Sequence, residues 1–127
     1  AAAWLAKGID LSGLGRALTS WHTLAVPEPT LAEHQIVGEV LRVDRFGNLV
    51  TNVERRVFER FAASGGIEIV AGTHAVGKVV ATYSEAEPGA VCALFGSSEH
   101  LEVAVNGGSA AGRLDLARGA RVTIART

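Results

Sequence analysis

Short apolar runs alternate with turn residues from Gln35 onward, and the thirty residues before that point follow no such rhythm. Ile36 to Val43, I-V-G-E-V-L-R-V, is rich in β-branched residues and predicts a strand. Asp44 to Asn48 carries Gly and Asn and predicts a turn, after which Leu49 to Val53 predicts a second strand. Arg55 to Ala63 predicts the one internal helix, with Val57, Phe58 and Phe61 on one face and Gly65-Gly66 ending it. Ile67–Ala71, Ala75–Tyr83, Val91–Phe95, Leu101–Val105 and Arg121–Ala125 predict five more strands. Glu87-Pro88-Gly89 and Asn106-Gly107-Gly108 mark turns among them. Seven short strands with one internal helix predict an all-β barrel or sandwich rather than a parallel α/β sheet.

Residues 1–30 read as a connecting arm ahead of a domain over 31–127. Ala1 to Lys7 predicts the end of a helix stopped by Gly8, and Ser12 is placed to cap a short helix running towards Trp21. Pro27-Glu28-Pro29 enforces an extended segment. Gly13-Leu14-Gly15 has no strand before it and is not a dinucleotide-binding fingerprint. The chain has no methionine and opens in a helix-like run, which suggests a piece of something longer.

Composition narrows the classes. With 127 residues, 48% hydrophobic and 20% charged, the chain has material for one domain with a real core. A net charge of −1, with basic residues dispersed, offers no attraction to nucleic acid or to an anionic membrane surface. No apolar run approaches the roughly 20 residues of a membrane helix. The single cysteine, Cys92, excludes an internal disulfide and a thiolate metal cage, and its apolar neighbours predict a buried core residue. Lack of disulfides fits a reducing, cytoplasmic compartment. His22, His34, His74 and His100 show no metal-binding spacing, and no nucleophile elbow is present.

Three segments could carry chemistry. In Asp44 to Asn52, D-R-F-G-N-L-V-T-N, Asn48 follows Gly47 and can present an amide to a donor–acceptor edge such as adenine's. The residues leave a second reading open: an Asx-type turn with Phe46 packed into the core and Asn52 capping the helix. In Phe95 to Glu102, Gly-Ser-Ser exposes hydroxyls and amides suited to the polar head of an amino acid, or forms an ordinary hairpin turn. Glu102 alternates with Leu101 and Val103, so it faces away from them and matters if that side meets a ligand's ammonium. Asn106 to Gly112 allows close backbone approach but lacks the Lys-Ser/Thr ending of a phosphate loop. Tyr83, before a polar loop, is placed to stack on a flat heterocycle.

Taken in order, these segments resemble the C-terminal domain of the S-adenosyl-L-methionine hydrolase family, the SAM hydroxide adenosyltransferases, relatives of the fluorinase and chlorinase. The resemblance rests on Asp44–Asn52, Thr82-Tyr83, Leu94–Ser98 (L-F-G-S-S) and Leu101–Ala111 (L-E-V-A-V-N-G-G-S-A-A), and it covers essentially the whole chain. It implies a small Greek-key antiparallel β-barrel that follows an N-terminal α/β domain not contained in this sequence. It further implies a homotrimer in which substrate lies between one subunit's barrel and its neighbour's N-terminal domain.

Carried over by position, Asp44, Ser97 and Ser98 would hold the methionine part, Asp44 accepting from its ammonium. Phe46, Asn48 and Tyr83 would line the nucleoside pocket. Backbone groups around Val105, Asn106 and Gly107 would complete the adenine site, and Glu102 is a further candidate near the methionine end. The implied reaction is attack of water or hydroxide on the ribose C5′, releasing adenosine and methionine. S-adenosyl-L-methionine is then the substrate, with no cofactor and no metal, and the water-handling Asp, Arg and His belong to the other domain.

Ser98 where the halogenating relatives have Arg, and Val50 where they have a bulkier aromatic, favour the hydrolase branch. Glu99 stands where the hydrolases usually have Gly, a departure in the loop that follows Ser98. A halogenase-type domain and a non-catalytic nucleoside-binding or trimerisation barrel are the alternatives, with a ligand-free structural barrel behind them.

Overall fold

The computed structural model describes residues 1–127, and in it the branched run from Gln35 forms the strand around which the sheet is organised. After helix α1 (Ala2–Ala6) and the two-residue strand β1 (Thr30–Leu31) comes β2 (Gln35–Val43), the longest strand. Its first half, Gln35–Glu39, pairs with β8 (Arg121–Arg126), and its second half, from Val40, pairs with β3 (Leu49–Glu54). A register shift between Val40 and Arg42 lies where β2 passes from one partner to the other. The remaining elements are α2 (Arg55–Ala62), β4 (Ile67–Ala71), β5 (His74–Val76), β6 (Val91–Phe95), β7 (His100–Val105) and α3 (Ala110–Leu114).

Across the sheet the order is β5-β4-β8-β2-β3-β7-β6, all antiparallel, with β1 added beside β2. The last strand in sequence thus sits between β2 and β4, the Greek-key arrangement. Residues 77–80 nearly close the barrel by running along β6: Gly77 N–H donates to Val91 O (3.2 Å), Ala93 N–H to Lys78 O (3.2 Å) and Val80 N–H to Ala93 O (2.8 Å). The predicted all-β barrel of seven strands is therefore what forms.

Alternate residues fill the interior, among them Ile36, Val40, Leu49, Val53, Leu101, Val103, Val122 and Ile124. Helix α2 plugs one end with Phe58 and Phe61, and Phe58 meets Phe95 edge-on at 5.2 Å. A smaller cluster of Val80, Ala86, Cys92, Leu94 and Ala104 lies on the opposite face of β6 and β7. Both faces of those strands are covered, which is why they read as nearly continuous apolar runs. Cys92 is buried there, as its neighbours predicted.

The predicted strand over Ala75–Tyr83 ends early, at Val76, because the chain then leaves β4 to follow β6. Tyr83–Glu85 becomes a single 3₁₀ turn instead, where the Glu85 carboxylate accepts the Ala81 N–H at 3.1 Å. In the arm, α1 ends just before Gly8, whose φ is +79°. The predicted helix from Ser12 to Trp21 shrinks to a 3₁₀ turn over Leu11–Leu14, capped by Asp10 through the Ser12 N–H (2.8 Å). All of residues 1–28 are exposed, including Trp4 (54%) and Trp21 (72%). No helix is long and apolar enough to cross a membrane.

Asn52, predicted as a possible cap for α2, does other work. Its Oδ1 accepts the Glu39 N–H (2.8 Å) beside the register shift, and its Nδ2 donates to the Pro27 carbonyl (2.9 Å), clipping the arm to the barrel. Gly38 makes room for it, since a Cβ there would lie 2.5 Å from Asn52 Oδ1. Asn52→Ala leaves the half-buried Glu39 N–H without its acceptor, so we expect about 1–3 kcal/mol of lost stability, read as a lower urea midpoint.

Candidate functional site

The turn after β2 is built by one carboxylate. Asp44 Oδ1 accepts the backbone N–H of Phe46 (2.8 Å) and of Asn48 (2.9 Å), an Asx turn closed further by Asp44 N–H to Asn48 O (3.0 Å). Gly47 has φ +88°, and a Cβ on it would come within 2.9 Å of Ser109 Cα. Only glycine satisfies both conditions. The Gly47 carbonyl accepts the Ala111 N–H (2.9 Å), and Ser109 Oγ caps α3 through the Gly112 N–H (3.0 Å). The turn is thereby fixed to the first turn of α3.

Asn48 is 4% exposed, and both hydrogens of its Nδ2 are used, one on Tyr83 Oη (2.9 Å) and one on Asp44 Oδ2 (3.2 Å). The flipped amide would set Oδ1 against the Asp44 carboxylate, so this orientation is the one electrostatics allows. It leaves Oδ1 as the acceptor open to a ligand. Above it a pocket of 460 Å³ is lined by Phe46, Asn48, Tyr83, Val105, Gly107 and Gly108, a size suited to a nucleoside-sized molecule. Phe46 is not core packing; its ring is 64% exposed, with the Arg45 guanidinium 4.8 Å from its centre. Gly107, at φ +76°, keeps its backbone N–H and C=O free of backbone partners. Two aromatic rings, an amide oxygen and a free peptide group can together bind a flat heterocycle by stacking and edge hydrogen bonds.

A second feature lies on the outer face of β3 and β7. Leu49 pairs with Val103 and points inward, so Val50 and Glu102, paired at the next step, point outward. Glu102 is 8% exposed, yet its carboxylate has neither a hydrogen bond nor an ion pair in the chain. Burial raises its pKa most and the Asp44 charge adds to this, while Arg42 and His100 pull it down. The carboxylate occupies the space where a side chain on Gly96 would stand. Tyr83 is raised as well, by burial first and the Glu102 charge second.

The Gly96–Glu99 loop is held from α2. Arg55 Nε bonds Glu99 Oε2 at 2.6 Å, Arg55 N–H donates to Glu99 O (2.8 Å), and the guanidinium stacks 4.5 Å over Phe95. Glu99 has φ +57°, the left-handed backbone that a Gly would adopt freely. His100 Nδ1 must be the protonated nitrogen, because it donates to the Ser98 carbonyl (2.7 Å).

Residues 38–123 match the family model described as SAM hydroxide adenosyltransferase C-terminal domain. The chain belongs to this family. A curated relative, (R)-S-adenosyl-L-methionine hydrolase of Thermus thermophilus, is 38% identical over 130 residues, covering 98% of this chain and 45% of that protein. Among solved structures, an uncharacterized conserved protein from Thermotoga maritima superposes with a TM-score of 0.77 at 28% identity, covering 98% of this chain and 49% of that one. A conserved hypothetical protein from Thermus thermophilus gives 0.65 at 38% identity, covering 97% and 48%. The chain spans about half the length of the relatives it matches.

Within this SAM hydroxide adenosyltransferase domain, Phe46, Asn48, Tyr83, Val105 and Gly107 converge from three separate segments on one pocket. Asp44 stands behind Asn48 as its holder. Asn106 does not join them: its N–H donates to Ala90 O (3.1 Å), its C=O accepts the Gly89 N–H (2.8 Å), and its Nδ2 donates to Ala86 O (2.7 Å). It braces the loop behind Tyr83 instead. Ser97 and Ser98 are exposed and lie outside the pocket, Ser98 beside Arg55, Glu99 and His100 in a separate depression. The Gly47–Ser109 contact was not anticipated, whereas Gly108 lines the pocket within the Asn106–Gly112 stretch expected to allow close backbone approach.

Tyr83 is the chain's single tyrosine, so phenolate absorbance reports it alone. It should ionise above the ordinary range, and Glu102→Gln should lower its pKa partway, since the anion goes while burial stays. A spectrophotometric pH titration of both proteins checks this.

Proposed function

We propose that this chain is the substrate-binding part of an enzyme that hydrolyses S-adenosyl-L-methionine to adenosine and L-methionine. The observation that carries the proposal is the pocket itself: its walls come from the signature segments of the family, brought together by the Asp44 turn. The curated relative's name, a hydrolase of that same sulfonium, supports the choice of substrate.

In this reading adenine lies between Phe46 and Tyr83. Asn48 Oδ1 accepts from its exocyclic amine, and the peptide at Gly107 meets its edge. Asp44 Oδ2, which accepts only the longer bond from Asn48, keeps capacity for the amino-acid ammonium, with Ser97 and Ser98 joining it once their loop closes on substrate. Water attacks C5′ as the C5′–S bond breaks. Sulfur takes the electron pair and leaves as the neutral thioether of methionine, and the proton of water passes to solvent.

A sulfonium leaves readily, so the protein's task is to position and desolvate the nucleophile. No residue of this chain is assigned that task. It falls to an N-terminal α/β domain, of the same and of a neighbouring subunit in a homotrimer, working in the cytoplasm. The open side of the pocket, bounded by exposed Phe46 and Tyr83, leaves room for such a second surface.

Calorimetric titration of adenosine into the chain tests the pocket. Binding should weaken about tenfold or more in Asn48→Ala and in Tyr83→Ala, each removing a stacking or hydrogen-bonding group. Methionine release from S-adenosyl-L-methionine should require the longer protein. Absence of adenosine binding in both the chain and the longer protein would sink the reading.

A further inference from the structure

Arg126 continues the alternation of Val122 and Ile124, so its side chain leaves β8 on the interior face, at the barrel end that α2 closes. There the guanidinium lies over Phe61, 4.6 Å from the ring centre, and Nη2 donates a long bond of 3.4 Å to Ser64 Oγ. Its Nε is the one side-chain nitrogen or oxygen in the chain that is buried without a hydrogen-bond partner. Stacking engages the face of a guanidinium, whereas its N–H groups lie in the plane and need acceptors of their own. A buried donor left without one is a cost that folded proteins rarely carry.

The charge is unbalanced as well. None of the chain's ion pairs includes Arg126 or its neighbour Arg60. Arg60 stands in the last turn of α2, where a helix C-terminus favours a cation. That accounts for Arg60 alone and gives Arg126 no acceptor. The two arginines share the wall of a cavity of 180 Å³ whose remaining lining is apolar: Leu31, Ile36, Val57 and Phe61. Four elements, β1, β2, α2 and β8, thus meet around it. It lies at the far end of β2 from the Asp44 turn, about 20 Å away along that nine-residue strand.

We infer that this cavity binds a small amphiphilic carboxylate, an aliphatic or aromatic monoacid. Its apolar body lies among Leu31, Ile36, Val57 and Phe61, and its carboxylate pairs with the guanidiniums of Arg126 and Arg60. Charge and size together choose that class. The planar fork of a guanidinium matches the two oxygens of a carboxylate. An inorganic anion would shed water against aliphatic walls with nothing to replace it. A nucleotide is too large, since the cavity has well under half the 460 Å³ of the nucleoside pocket. An amino acid would bring an ammonium to two arginines that have no acid within ion-pair distance. The inference is independent of the proposed nucleoside site, and either can fail without the other.

A nitrogen–proton NMR titration of the chain, following the arginine Nε–H signals, tests it with hexanoate, benzoate, hexanamide and acetate. The Arg126 signal is assigned by its loss in Arg126→Lys. Hexanoate or benzoate should move it saturably, and the tighter of the two tells an aliphatic from an aromatic site. Hexanamide, which lacks the charge, and acetate, which lacks the apolar body, should each bind about tenfold or more weaker than hexanoate. Arg126→Lys should lose about tenfold for hexanoate, because an ammonium lacks the fork. Arg60→Gln, at an exposed position, should fold as wild type does and lose severalfold. Adenosine should leave the Arg126 signal in place.

No saturable shift with either acid in the folded wild type overturns the inference. So does hexanamide or acetate binding as tightly as hexanoate, which would reduce the site to a greasy hollow or an adventitious anion contact. Unchanged hexanoate affinity in Arg60→Gln also overturns it, and that comparison holds even if Arg126→Lys does not fold.

Discussion

Asp44 Oδ1, with the N–H groups of Phe46 and Asn48 converging on it, is the constraint on which the pocket depends. It sets the direction in which Asn48 leaves the turn, and the other carboxylate oxygen then orients the Asn48 amide. That amide in turn holds the Tyr83 hydroxyl, joining two segments 35 residues apart. Each step is a hydrogen bond of ordinary strength, but they act in series, so the site is a chain of orientations beginning at one charged group. The barrel supplies rigid ends for that chain: β2 and β3 below the turn, α3 behind Gly47 and β6 beneath the Tyr83 loop.

Burial in this domain is unequal on purpose. The interior is apolar, filled by branched aliphatic residues with Phe58 and Phe61 at one end, whereas Asn48, just before β3, and Glu102, on the outer face of β7, are polar and largely enclosed. Glu102 stands beside a second acid, Asp44, and burial together with that neighbouring charge holds its carboxyl above the usual carboxylate range.

Much of the fold was readable in the chain because the barrel strands obey simple rules. Val91–Phe95 and Ile67–Ala71 matched to the residue, since short apolar runs bounded by turn residues leave little choice. Ala75–Tyr83 misled because its apolar residues serve two partners in succession, β4 and then β6, a tertiary fact invisible to local pattern. Asn48 and Tyr83 could be named in advance but not their mutual hydrogen bond, which depends on the path between them. The resemblance put backbone groups around Asn106 in the adenine site. Its backbone is already spent on Gly89 and Ala90. Phe46 had two readings, core or ligand wall, and only its exposure decides between them.

The arm has one further consequence. Trp4 and Trp21 are the chain's two tryptophans, and both sit in it, more than half exposed, while the barrel core is made of Val, Ile, Leu and Phe. Indole emission from the folded chain therefore resembles that of indole in water already. Melting the barrel will scarcely shift it, whereas seating the arm against another surface will. The intrinsic fluorescence of this protein is a gauge of its arm and is nearly blind to its core.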